Sequence, residues 1–317
     1  MITPVYQDVE SFMRLREQTI EILSRHLVLR QMRLRLVVVD DTGGFDPEMQ
    51  RVRALRDVTV VEPPFNLGHQ RAIVYGVRTV TPQIADADLV VTLDSDGEDR
   101  PKDLPRLLAP ILEEPTDLRR VVLALRTRRR ETPVFKAMYL SFKVLFRLLT
   151  GISVRTGNYA AFRGWFARHV ILHPYFDLCY SSTLVSLNLP LAYVPCERGT
   201  RYAGQSRMNY QKLFIHGLRM LMPLVDRIAI RALFAFFLTF CAGISVSLAV
   251  LAVRLFTKAA IPGWATSTLL LVLMLSFIAV GNFVVLFAVF SQSQGISLSN
   301  LEHRNHEQPR SASASAD

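Results

Sequence analysis

Asp88-Leu89-Val90-Val91-Thr92-Leu93-Asp94-Ser95-Asp96 decides the fold of this chain. The run Leu89 to Leu93 is short, apolar and largely β-branched, as expected of a strand buried on both faces. It stops at two carboxylates separated by one serine. Sheets made of such strands bind their ligands at the carboxyl ends. Two carboxylates placed there can share a hard divalent cation, since Mg²⁺ takes a few carboxylate oxygens and completes its shell with phosphate oxygens. A bound metal of this kind neutralises charge on a departing diphosphate. An Asp-x-Asp triplet also occurs as a solvated turn. The apolar run before it favours the binding reading, and Gly97-Glu98-Asp99-Arg100-Pro101 adds a third carboxylate, Asp99, close by.

Outward from this strand the same grammar repeats. Pro4-Val5-Tyr6-Gln7-Asp8 lies near the start, followed by a helical pattern from about Val9 to Arg30. Leu34 to Val39 is β-branched and ends in Asp40-Asp41 and the turn Thr42-Gly43-Gly44. Val58 to Val61 is a further strand, and Asn66-Leu67-Gly68 opens a helix running to about Val80. Val121 to Leu125 is a fifth strand. Strands alternating with helices predict an α/β fold, a mostly parallel Rossmann-like sheet with helices on both faces. Tyr6 with Asp8, Asp40 with Asp41, and Asp94 with Asp96 then gather at one end of it. Only Met1-Ile2-Thr3 precede Pro4, so the first strand reads as abnormally short: frayed, or continued upstream.

The chain has 317 residues, 50% hydrophobic, with a net charge of +10. Two stretches break the polar rhythm. Ala232 to Val253 carries no charged side chain, nor does Ala259 to Leu301, which is strongly apolar from Leu269 to Phe290. Each is long enough to span a bilayer as a helix; the alternative is a buried hairpin in a soluble protein. Lys212, Arg219, Arg227 and Arg231 precede the first stretch, and only Arg254 and Lys258 lie between the two. The positive-inside rule then puts the large domain and both termini in the cytoplasm, anchored as a multi-pass protein in the inner membrane. Phe135, Met138, Tyr139, Phe142, Phe146 and Leu149 recur at helical spacing, opposite Lys136, Lys143 and Arg147. Leu213, Phe214, Leu218, Leu221, Met222 and Val225 do the same beside Lys212, His216 and Arg219. Basic amphipathic helices lie in the membrane plane or, equally, form part of a core. The basic excess therefore points to lipid headgroups, with no nucleic acid expected. Cys179, Cys196 and Cys241 have neither metal nor disulfide spacing. The organisation expected is a catalytic domain over 1–207, a basic interfacial helix over 208–231, two transmembrane helices within 232–291 (about 232–253 and 267–290), and a polar disordered tail over 292–317.

Taken in order, these motifs resemble glycosyltransferase family 2, and within it the polyisoprenyl-phosphate glycosyltransferases of the dolichol-phosphate mannose synthase type. The resemblance covers about residues 1–231. Pro4-Val5-Tyr6-Gln7-Asp8 is similar to the family's Pro-x-Tyr-Asn-Glu, and Val39-Asp40-Asp41 to its Val-Asp-Asp. Asn66-Leu67-Gly68 resembles an Asn-x-Gly helix start, and Leu93-Asp94-Ser95-Asp96 the metal motif. Asp99-Arg100-Pro101 resembles the Asp-Pro-Pro that follows, Arg126 stands where the family has an arginine, and Arg201 to Arg207 resembles Arg-x-x-Gly-x-Ser-Lys. The resemblance implies a GT-A-type fold, a nucleotide-sugar donor and Mg²⁺ or Mn²⁺. It implies catalytic roles for Asp94, Asp96, Asp99 and Arg126, with Asp94 and Asp96 as metal ligands. Donor binding falls to Pro4, Tyr6, Asp8, Asp40, Asp41, Asn66 and Gly68. An acceptor phosphate falls to Arg201, Ser206 and Arg207, where the plainer alternative is surface charge facing the membrane. A homo-oligomer is allowed but not specified.

The chain departs from its relatives at one place. They usually read Asp-x-Gly-Asp-Phe-Arg where this chain has Arg155-Thr156-Gly157-Asn158-Tyr159-Ala160. Transfer to a sugar hydroxyl needs a general base, because a hydroxyl is a weak nucleophile at neutral pH. A polyprenyl phosphate is already ionised and needs only positive charge to position it. The missing carboxylates therefore favour a polyprenyl-phosphate acceptor at the cytoplasmic leaflet. Transfer to a hydroxyl of a lipid-linked glycan or polysaccharide is the second expectation, and a non-catalytic subunit that binds sugar nucleotide or lipid the third. Asp177 is the nearest spare carboxylate, and His69 reads as a helix-terminal residue near the nucleotide.

Overall fold

A computed structural model describes residues 1–126, 133–153, 156–187, 189–202, 210–257 and 263–292. The chain divides into two compact units. The first holds Met1–Lys143 and Ser153–Pro223; the second holds Val144–Ile152 and the two C-terminal helices.

The first unit is built on a seven-stranded sheet in the order β3-β2-β1-β4-β6-β5-β7. The strands are β1 (Ile2–Val5), β2 (Leu36–Asp40), β3 (Val58–Val61), β4 (Leu89–Thr92), β5 (Val121–Arg126), β6 (Thr156–Arg163) and β7 (Leu191–Cys196). The five strands expected from the sequence are all present. β1 is short but neither frayed nor peripheral: all four of its residues are buried, and it pairs in parallel with β2 and with β4. β6 and β7 are additions to the sequence reading. β6 runs antiparallel to both β4 and β5, while β7 pairs in parallel with β5. The fold is thus an α/β, GT-A-like, mostly parallel sheet with one reversed strand.

Helices cover both faces, because strands that are apolar throughout must be shielded on two sides. In chain order the helices up to residue 221 are α1 (Val9–Arg25), α2 (Met49–Arg53), α3 (His69–Val80), α4 (Leu104–Glu113), α5 (Pro133–Thr150), α6 (Gly164–Val170), α7 (Tyr180–Ser186) and α8 (Tyr210–Leu221). The sequence pattern ran α1 on to Arg30. The helix instead stops at Arg25, and a single 3-10 turn, Leu29–Gln31, buries Leu29. One core cluster joins Ile73, Val77, Phe162, Phe166, Phe176 and Tyr180; a second joins Leu15, Leu93, Leu104, Leu107 and Tyr159; a third joins Val5, Val9, Phe12, Val38 and Met49. Phe162 and Phe166 meet edge to face with centroids 5.0 Å apart, and each such side chain contributes about 1.5–3 kcal/mol by burial.

In the second unit α9 (Val225–Phe256) packs along α10 (Trp264–Gln292). Both are long and apolar enough to cross a membrane by length and composition. Phe234, Phe237, Leu248, Leu271, Phe277 and Val285 point outward rather than into a protein core. A hairpin buried in a soluble protein would hide such side chains, so that alternative is not what the helices present. At the end of α5, Leu145 and Leu148 are exposed while Phe146 is buried.

Candidate active site

The carboxyl ends of β1, β2 and β4 meet as the strand pattern requires. Val5 and Asp40 are in register, and the Asp41 amide donates to the Val5 carbonyl at 2.9 Å. The Ser95 hydroxyl, between the two carboxylates of the triplet, donates to the Pro4 carbonyl at 2.9 Å. Pro4 and Ser95 thus lock the first motif to the third.

The residues expected to hold a nucleotide divide into two sorts. Asp40 is fully buried. Its Oδ1 accepts from the Thr42 amide at 3.1 Å and the Thr42 hydroxyl at 2.5 Å, while its Oδ2 has no hydrogen-bond partner among the described residues. A buried carboxylate oxygen left open at a strand end is costly unless a ligand donates to it. Asp41 is occupied: its oxygens accept from the Leu67 and Gly68 amides at 2.7 and 3.1 Å. It shapes the Asn66-Leu67-Gly68 loop from the end of the neighbouring strand, and burial raises its pKa despite those two bonds. Asp8 caps α1, accepting from the Ser11 amide at 3.3 Å. Tyr6 and Asn66 are exposed beside these loops, and Gln7 adopts φ 51°, in the left-handed region.

The acidic cluster is dense. Asp94 Oδ1 accepts from Asn158 Nδ2 at 3.1 Å and lies 2.6 Å from His69 Nε2. Its Oδ2 is 3.7 Å from an Arg126 nitrogen. Asp99, almost fully buried, accepts from the Asp94 amide at 3.1 Å and from Arg126 at 3.4 Å. Burial pushes the Asp94 carboxyl up, but His69, Arg126 and Asn158 together hold it well below the usual carboxylate range. Asp99 goes the other way: burial and the neighbouring Asp94 charge push it up to about 7. Burial also pulls His69 down, and the Asp94, Asp96 and Asp99 charges outweigh it, so the imidazole is more basic than usual. Gly157 makes room for this arrangement, since a Cβ there would lie 2.5 Å from the Arg126 guanidinium carbon.

Arg201 reaches the same cluster. Its guanidinium lies 2.9 Å from Asp96 Oδ2 and 3.2 Å from Glu98 Oε1. The segment after β7 is laced to the loop after β4. Gly199 donates to the Glu98 carbonyl at 2.8 Å, Tyr202 donates to the Asp96 carbonyl at 2.9 Å, and Arg198 pairs with Glu98. Gly97, at φ 89°, lies under the Tyr202 ring, where a Cβ would come within 2.8 Å. Ser206 and Arg207 lie outside the described residues. Asp177 is engaged elsewhere, in a two-pronged pair with Arg78 at 2.7 and 3.0 Å.

Among the described residues no three His, Cys, Asp or Glu side chains form a cage for a metal. Asp94 and Asp96 offer hard oxygen donors, partly exposed at 13% and 18%. That donor set fits a cation that draws most of its ligands from water and a diphosphate. His69, Gln70 and Asn158 are the neighbours that sequence reasoning did not assign to the cluster. His69 and Gln70 sat in view, directly after the Asn-x-Gly motif. Asn158 reads in the sequence as a missing carboxylate.

The carboxyl ends of a mostly parallel sheet thus carry an acidic cluster flanked by two arginines, Arg126 and Arg201. The chain belongs to the Glycosyl transferase family 2, whose pattern matches residues 2–168. It is similar to the undecaprenyl-phosphate 4-deoxy-4-formamido-L-arabinose transferase of Proteus mirabilis (strain HI4320), with 29% identity over 177 residues, 54% of this chain and 49% of that one. The enzyme of the same name from Enterobacter sp. (strain 638) is 26% identical over 224 residues, 67% of this chain and 63% of the other. The chain thus spans about half the length of the first of these relatives and somewhat more of the second. Among solved structures, a 4-diphosphocytidyl-2C-methyl-D-erythritol synthase aligns with 70% of this chain and 97% of its own, at a TM-score of 0.36 and 14% identity. Likeness at that level has no bearing on function.

Proposed function

We propose that this protein is a membrane-anchored, metal-dependent glycosyltransferase that moves a sugar from a nucleotide-sugar donor to a polyprenyl phosphate. The observation that carries the reading is the position of Arg201, 2.9 Å from Asp96. The arginine expected to bind the acceptor phosphate lies beside the carboxylates expected to serve the donor's diphosphate. The relatives' printed names, which specify an undecaprenyl-phosphate acceptor, support the same chemistry.

In this reading Asp40 receives the nucleoside, with Pro4, Tyr6, Asp8, Asp41, Asn66 and Gly68 shaping the pocket around it. Asp94 and Asp96 hold Mg²⁺ or Mn²⁺, which supplies positive charge opposite the donor's diphosphate. Arg126 keeps Asp94 and Asp99 in place. Arg201, with Ser206 and Arg207, binds and orients the acceptor phosphate. One of its oxygens bonds to the anomeric carbon as the bond from that carbon to the diphosphate breaks, and the nucleoside diphosphate departs. An ionised phosphate needs no base. That fits an amide at Asn158 and an Asp177 already tied to Arg78.

The organisation that goes with this reading is a catalytic domain over 1–207, an interfacial helix over 208–231, spans within 232–291 and a cytoplasmic tail. The exposed Leu140, Val144, Leu145 and Leu148 of α5 and Leu218 of α8 suit helices lying at the membrane surface. The test is transfer from radiolabelled nucleotide sugars to a membrane lipid extract, with and without Mn²⁺, followed by mild acid hydrolysis. A lipid-extractable, acid-labile product supports the proposal. An acid-stable product points to a hydroxyl acceptor, and no turnover of any donor points to a non-catalytic subunit.

A further inference from the structure

Asp94 is held by a chain of amides whose order is set at both ends. The backbone N–H of Ser181, in the first turn of α7, donates to Gln70 Oε1 at 3.0 Å. Cys179 Sγ approaches the same oxygen at 3.7 Å. With its oxygen committed, Gln70 turns its Nε2 to Asn158 Oδ1 and, at 3.3 Å, to the Ser181 hydroxyl. Asn158 then has only its Nδ2 left to point outward, and that group donates to Asp94 Oδ1 at 3.1 Å.

Amide orientation is usually ambiguous, because oxygen and nitrogen look alike. Here it is not. A backbone N–H can only donate and an ionised carboxylate can only accept, so one orientation of each amide satisfies the whole chain. Asn158 is 5% exposed and fixed from behind as well: its carbonyl accepts from the Thr92 hydroxyl at 2.6 Å, which in turn lies 2.6 Å from the Tyr180 hydroxyl.

We infer that Gln70 and Asn158 are positioning residues: a polarised amide relay, anchored on α7, that aims and stabilises the Asp94 carboxylate toward its divalent cation. This rests on the metal reading above and adds to it the residues that orient the ligand. It also gives the Asn158 departure a physical role. A carboxylate at 158 would set a second negative charge against Asp94, whereas the amide donates to it.

The test uses the full-length protein in detergent and two readouts besides turnover. Mn²⁺ binding is measured at pH 8 by electron paramagnetic resonance. Gln70→Glu keeps an acceptor for the Ser181 amide but cannot donate to Asn158, so the Asn158 amide reverses and turns its oxygen on Asp94. Mn²⁺ binding is expected to weaken by about 10-fold or more in this variant, and by about 3-fold or less in Gln70→Met, which breaks the relay without reversing it. An added negative charge acting merely through space would tighten cation binding instead, so unchanged or tighter binding in Gln70→Glu overturns the inference. The second readout is the melting temperature in EDTA of Gln70→Met, Asp94→Asn and the double variant. Among the described residues the side-chain hydrogen bonds that link Gln70 to Asp94 run through Asn158, so a relay predicts that the double variant loses clearly less than the two single losses combined. Additive losses overturn it. Should wild-type protein show no Mn²⁺ binding that Asp96→Asn removes, the metal reading fails by itself, and the melting cycle still decides the relay.

Discussion

Replacing Arg201 with glutamine separates acceptor use from donor use. In the free protein this side chain makes two charged contacts, 2.9 Å to Asp96 and 3.2 Å to Glu98, and is 33% exposed. Pairs that exposed are worth at most about 1 kcal/mol, so the fold should be nearly unaffected. A charge-assisted hydrogen bond to a phosphate is worth roughly 1.5–3 kcal/mol. At 1.36 kcal/mol per factor of ten, losing it should raise the acceptor KM or lower kcat by about 10- to 100-fold. Nucleotide-sugar affinity should change by less than about 3-fold, because the proposed reading assigns the donor to the strand ends near Asp40 and Asp94 and gives Arg201 no contact with it. Metal affinity should rise slightly, since Asp96 loses a competing cation. The assay is steady-state transfer with each substrate varied in turn, alongside donor binding by calorimetry. A loss of donor affinity as large as the loss in acceptor KM would refute the assignment of Arg201 to the acceptor.

Three further outcomes follow from the same geometry. Asp96→Asn should lower metal-dependent turnover by about 100-fold or more, because a neutral amide is a poor ligand for a hard cation; near wild-type rates under saturating Mg²⁺ would remove Asp96 from the metal site. Asp177→Asn should leave transfer within about 3-fold of wild type and cost at most about 1 kcal/mol of stability from the Arg78 pair, measured by kinetics and thermal melting; complete loss of transfer with donor binding intact would mark a general base and a hydroxyl acceptor. Asp8→Ala should cost about 1 kcal/mol through the lost cap of α1, visible as a lower melting temperature. Loss of donor affinity without loss of stability would show that Asp8 contacts the nucleotide directly and not through the cap alone.

The strands that end in chemistry were legible because their signals are local. Apolar β-branched runs closed by Asp40-Asp41 and Asp94-Ser95-Asp96 define strand ends without reference to the rest of the chain. Two long uncharged stretches define candidate spans by length alone. β6 and β7 escaped the same reading. β6 carries a glycine and an asparagine in its first three residues, and its place between β4 and β5 depends on pairings such as Thr92 with Ala160 and Leu123 with Ala160. What each polar side chain touches was decided only in three dimensions. Asp41 and Asp8 belong to ligand-binding motifs by pattern, yet Asp41 holds the Leu67 and Gly68 amides and Asp8 caps a helix. Arg201 and Asp96 are far apart in the chain and meet because β7 lies at the sheet edge and returns its following loop to the carboxyl ends. Asn158 looks in the sequence like a lost carboxylate. It becomes a donor to Asp94 only because the reversed strand β6 lies beside β4 and Gln70, on helix α3, orients its amide. Local pattern specifies which groups a strand or loop displays; only packing across the sheet specifies which of them share a proton or a charge.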